Sequence, residues 1–118
     1  MAEYRIDNYA VRQWSSRSAS QGNSGVAIAG IYLYEGERRR GHIYFYSDET
    51  KLNPPIHRST EEQILLNFNL SQFEGTLAIL AGSAELLLFY RSSTDAGLLA
   101  QRQSVNGLIG TSVSTDAV

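Results

Sequence analysis

The chain has 118 residues, a formal net charge of -2, no cysteine, and 42% hydrophobic against 19% charged residues. About 120 residues make one domain, and a chain without cysteine holds no disulfide scaffold, thiolate nucleophile, iron–sulfur cluster or cysteine-ligated zinc. The longest apolar runs, Leu77 to Ala81 and Leu86 to Tyr90, span five residues, far short of the ~20 that cross a bilayer as a helix. The charged start, Met1 to Asp7, lacks the apolar stretch of a secretory signal. A cytoplasmic protein without membrane contact is the expectation.

From Glu3 to Trp14 the apolar residues alternate, but their parity changes at Asp7-Asn8. One strand with a bulge, or two short strands, would produce that change, because one extra residue turns every later side chain to the other face. Residues 15–25 are almost all Ser, Gly, Asn and Gln, the composition of a mobile loop. Val26 to Tyr34 is β-branched or aromatic on both parities and reads as a central strand, with Gly30 marking a bulge or a close approach. Glu35 to Arg38 is a hairpin connection, and Arg39 to Ser47 is the returning strand. Its odd positions Gly41, Ile43 and Phe45 face inward, and its even positions Arg40, His42, Tyr44 and Tyr46 face outward. Residues 48–58 contain Asn53-Pro54-Pro55 and read as a loop, since proline has no N–H to pair.

Two signals compete over Ser59 to Leu70. Ser59 with Glu62 fits a helix-starting capping box, whereas Ile64, Leu66, Phe68 and Leu70 alternate as a strand does; the strand over 63–70 is favoured. Ser71 with Glu74 then forms a second capping box, Phe73, Leu77, Leu80 and Ala81 share one helical stripe, and Gly82 stands at the C-cap position. A helix over about 72–82 follows. Leu86 to Arg91 reads as a buried strand, Ser92 to Gly97 as a turn-rich connection, and Leu98 to Ser114 as a hairpin turning at Asn106-Gly107, with 115–118 as a frayed tail. The expected fold is a single α+β domain over residues 1–114: a mostly antiparallel twisted sheet of about six or seven strands, with the helix packed on one face.

No G-x-S-x-G nucleophile elbow occurs, and no glycine-rich turn feeds a helix N-terminus with a lysine, the arrangement that cradles phosphates. His42 and His57 have no helical metal-ligand spacing. Neither a metal nor a cofactor is expected.

Nine of the ten basic residues are arginine, and three are consecutive, Arg38-Arg39-Arg40. A three-residue hairpin loop sets Tyr34 opposite Arg38 and Tyr32 opposite Arg40, on one face with His42, Tyr44 and Tyr46. A loop of two or four residues moves Tyr32 and Tyr34 to the inner parity instead. The charge also divides: residues 1–59 carry a net +2 and six of the seven tyrosines, residues 60–118 a net -4. Strand 26–34 is apolar on both faces, and the single helical stripe is too narrow to cover so wide a sheet, so a homodimer burying tyrosine-rich sheet surface is expected. The leading functional expectation is a small non-catalytic binding or assembly module that uses its sheet face or edge, with a protein partner as one candidate. A second is single-stranded nucleic-acid binding through the arginines and tyrosines. A third is a small enzyme in which His42, Asp48, Glu49 and His57 converge only in three dimensions.

Overall fold

A computed structural model describes residues 1–14, 26–82 and 84–101. The expected loop at 15–25, the turn at Asn106-Gly107 and the tail at 115–118 lie outside them. The parity change at Asp7-Asn8 is a corner between two sheets. Strand β1 (Ala2–Ile6) belongs to one sheet and β2 (Asn8–Gln13) to the other. Both carboxylate oxygens of Asp7 accept the Gly36 N–H, at 2.9 and 3.1 Å, and the Asn8 amide donates to the Gly36 carbonyl at 3.0 Å. The corner therefore grips the turn of the neighbouring hairpin.

That hairpin joins β3 (Ala29–Glu35) to β4 (Arg38–Tyr46) through a two-residue loop, Gly36-Glu37. Gly36 has φ +62°, the left-handed backbone a two-residue hairpin loop with Gly first requires. The loop is thus shorter than the three residues that would set Tyr34 opposite Arg38. A bulge compensates. Glu35 pairs with Arg38 and Tyr34 with Arg39, but Leu33 pairs with Gly41, so Arg40 is the extra residue. Beyond it the outward parity is restored, and Tyr32 stands opposite His42.

Two further corrections concern the connections. The segment 48–58 is not all loop, because β5 (Ile56–Arg58) starts directly after Pro55 and pairs antiparallel with β6 (Gln63–Asn69). The prolines precede the ladder, where their missing N–H costs nothing. Strand β6 in turn runs parallel to β4, the one parallel pairing among the described residues. The remaining strands, β7 (Glu85–Ser92) and β8 (Asp95–Gln101), form an antiparallel hairpin turning at Ser93-Thr94, so the second strand begins earlier than the expected Leu98.

The described residues form eight strands in two sheets, ordered β1-β7-β8 and β2-β3-β4-β6-β5, with one helical segment. This is the α+β class, and mostly antiparallel as expected. A 3₁₀ turn over Leu70–Gln72 leads into α1 (Phe73–Ala81). Its start is fixed two residues before the expected box: the Gln72 side chain accepts the Asn69 N–H at 3.0 Å, and the Ser71 N–H is taken by Asp48. Gly82 ends the helix in extended, not left-handed, backbone, with its N–H on the Ile79 carbonyl.

The inner faces of both sheets meet in one core. Ile31, Leu33, Ile43, Phe45, Ile64 and Leu66 come from the larger sheet, Ile6, Leu86 and Leu88 from the smaller, and Leu80 from α1. Each such side chain stabilises the fold by roughly 1.5–3 kcal/mol through removal from water. Gly41 is where the parallel neighbour comes closest, since a Cβ there would lie 2.0 Å from the Ile64 carbonyl oxygen. No helix among the described residues is long and apolar enough to cross a membrane.

Candidate functional site

The three-stranded sheet and α1 both pack on the inner side of the five-stranded sheet. Its outer side carries the even positions of β2 and β3 and, beyond the bulge, those of β4 from His42 onward. Register places Arg12 beside Gly30 and Tyr44, and Ala10 beside Tyr32 and His42. The rings interlock. His42 stacks on Tyr44 with centroids 3.9 Å apart and planes at 14°, and Tyr32 meets both edge-on. Trp14 meets Tyr44 edge-on at 5.8 Å. Gly30 makes that closure possible, because a Cβ there would sit 3.1 Å from the Trp14 ring and 3.2 Å from Tyr44. Its absence lets two rings lie against the backbone.

Guanidinium groups border this cluster. Arg39 lies 4.3 Å over the Tyr32 ring and Arg12 lies 5.4 Å over the same ring, both within cation–π reach. Arg58 joins from β5, which pairs it with Gln63 on the outer parity of β6. Burial first, then the positive charges of Arg39 and Arg58, push the His42 pKa down to about 4. The ring is therefore neutral at pH 7, and its Nδ1 is buried with no hydrogen-bond partner among the described residues. All three arginines are exposed, and none has an ion-pair partner among the described residues.

The consecutive arginines do not act together. Arg39 takes the outer face, while Arg38 and Arg40 converge on Glu62 at 2.6 and 3.2 Å, with Arg40 also on Glu35 at 3.0 Å. The bulge explains the split, since it turns Arg40 over the Tyr4 ring, 4.7 Å away, at the seam between the sheets. Hydrogen bonding by Arg40 and the nearby Arg38 charge hold the Glu62 carboxyl below its ordinary range. Glu62 meets them with φ +58°, a left-handed backbone that a non-glycine residue rarely adopts. In the same seam the Tyr4 hydroxyl lies 3.2 Å from His57 Nε2, and burial raises the Tyr4 pKa.

Of the residues singled out from sequence, Tyr32, His42, Tyr44 and Arg39 share one patch, Tyr34 and Tyr46 flank it half-buried on β3 and β4, and Arg38 and Arg40 belong to the seam. His42 and His57 lie on opposite faces of the sheet, since His42 pairs with Leu65 and His57 with Ile64. Asp48 accepts the Ser71 N–H at 3.0 Å. The four groups of the enzyme reading are thus not brought together. Arg12, Trp14 and Arg58 are members of the patch that sequence reading passed over. Arg12 shares the parity of Tyr32 once β2 is placed beside β3, whereas Arg58 was hidden in a segment read as loop.

No protein-family model matches the chain, and no curated protein or solved structure matches it. What the outer face does must be argued from its own chemistry.

Proposed function

We propose that the chain is a small non-catalytic binding module whose working surface is the outer face of the five-stranded sheet, and that its ligand is single-stranded nucleic acid. One observation carries the reading: Arg12, Arg39 and Arg58 stand exposed on one face without a carboxylate partner among the described residues, while Arg38, Arg40, Arg5 and Arg91 are ion-paired elsewhere. The charge of this face is left for something outside the fold. Guanidinium groups take phosphates bidentately, and the Tyr44, His42 and Trp14 rings lie beside them, the mixture of arginine and aromatic side chains that single-strand binders use. The mild overall charge of -2 does not oppose this, because the acidic side chains that pair with arginine lie at the seam, on the smaller sheet and at the hairpin turn.

The test is fluorescence anisotropy with a labelled single-stranded oligonucleotide, titrated between about 20 and 200 mM salt. Three phosphate contacts predict a log–log salt slope of about -2 for single strands, reduced by roughly 0.7 for each arginine replaced by alanine. Tyr44→Ala should weaken binding by about 1–3 kcal/mol. Affinity that is absent at low salt, or that is unchanged in an Arg12→Ala/Arg39→Ala/Arg58→Ala variant, overturns the assignment.

A further inference from the structure

We infer that two copies of the chain join edge to edge through β2, antiparallel about a two-fold axis at Ala10, so that two five-stranded sheets continue as one.

The two edges of the larger sheet differ in kind. At one edge β5 is three residues long and follows two prolines, features that blunt strand addition. At the other edge β2 runs for six residues with no proline or lysine, and every one of them is exposed. Tyr9 and Val11, on its inner parity, are 38% and 48% exposed. An open groove of about 600 Å³ at the corner between β1 and β2 reaches Asn8 and Tyr9 at the start of this strand, with Leu80 and Leu86 on its other wall. The backbone is equally open. The Trp14 N–H bonds to the Ile28 carbonyl, and antiparallel ladders alternate every second residue, so even positions of β2 bond to β3 while Tyr9, Val11 and Gln13 point N–H and C=O outward. Among the described residues β2 pairs only with β3, and such an open row of groups is a template for another strand.

What fits it is β2 itself. Centred on Ala10, the register sets Tyr9 against Val11 of the second copy and Val11 against its Tyr9, aromatic on β-branched, one of the cross-strand pairings that stabilise a sheet. Tyr9 and Val11 then carry the new hydrogen bonds. Ala10 meets Ala10 in the close, non-hydrogen-bonded position, where a small side chain suits the ~4.5 Å Cα separation. Arg12 lies opposite Asn8, so like charges do not meet. A dimer closed face to face over the tyrosines would instead bring Arg12, Arg39 and Arg58 of both copies into one interface. The edge contact avoids that repulsion and leaves both outer faces on the same side.

The chain has no cysteine, so an introduced thiol is the single reporter. Light scattering at about 100 μM should give twice the 13.1 kDa chain mass. Under mild oxidation Ala10→Cys should form a disulfide dimer at least tenfold faster than Glu74→Cys on the exposed side of α1, because opposed non-hydrogen-bonded Cα atoms fall within disulfide reach. Val11→Pro should reduce the mass to that of one chain, with far-UV circular dichroism confirming that the fold persists. A monomeric mass for the unmodified chain, equal cross-linking rates at positions 10 and 74, or faster cross-linking by Arg39→Cys or Val11→Cys overturns the proposal.

Discussion

His42 makes the stability of the fold depend on pH in a way one substitution can isolate. Its ring is stacked on Tyr44, its Nδ1 is buried without a partner among the described residues, and burial with the charges of Arg39 and Arg58 holds its pKa at about 4, against 6.5 ordinarily. Above pH 6.5 the ring is neutral whether the chain is folded or not, and it has no effect on the balance. Between pH 6.5 and 4 the unfolded chain binds a proton that the folded one refuses, so folding weakens as pH falls. Below 4 both states are protonated and the loss levels off. At 1.36 kcal/mol per unit the ceiling is about 3 kcal/mol. His42 is only partly enclosed, and solvent screening lowers this to about 1–2 kcal/mol. Urea unfolding at fixed protein concentration, in steps from pH 8 to pH 4, measures it. Carboxylates such as Glu62 contribute acid sensitivity of their own, so His42→Phe serves as the reference: it keeps the stacking and removes the proton site. The unmodified chain should lose about 1–2 kcal/mol more than His42→Phe between pH 7 and pH 4. Equal losses, or a larger loss in the variant, would refute the reasoning.

Two glycine substitutions probe the close approaches. Gly41→Ala puts a methyl group 2.0 Å from the Ile64 carbonyl and 2.9 Å from Leu88, backbone and core together, and should destabilise by about 3 kcal/mol or more in thermal or urea unfolding; a change below about 0.5 kcal/mol would show that β4 and β6 are not so close. Gly30→Ala meets side-chain rings at 3.1 and 3.2 Å, so it should cost about 1–2 kcal/mol and displace Trp14. Because Trp14 is the only tryptophan, a red-shifted emission maximum reports that displacement directly, and an unchanged spectrum would count against the packing.

Periodicity made much of this fold legible. Odd positions of 41–45 are buried and even ones are not, Gln63 to Asn69 resolves as the strand its alternation suggested, and Gly30 does mark a close approach. The parity change at Asp7 was visible too. That it meant a change of sheet was not, because the deciding bonds reach Gly36, far along the chain. The candidate patch was half legible for a similar reason. Loop length alone would have sent Tyr32 inward, and the bulge at Arg40 returned it, with Arg40 meeting Glu62 and Tyr4, both distant in sequence. Arg58 could not be found, since the three residues of β5 carry no periodic signal and pair only because β6 lies alongside.

The corner at Asp7 also affects how the chain comes to be folded. Strand β1 is synthesised early, yet Ile6 must wait for Leu86, about eighty residues later, before its sheet can form. At a translation rate of roughly 5–20 residues per second that is a delay of about 4–16 s, during which β1 is without its ladder. Strand β2 meets β3 long before. Nascent chains should therefore pass through a stage in which the large sheet has begun and its core-facing side is still bare, and the arrival of β7 is the step that covers it.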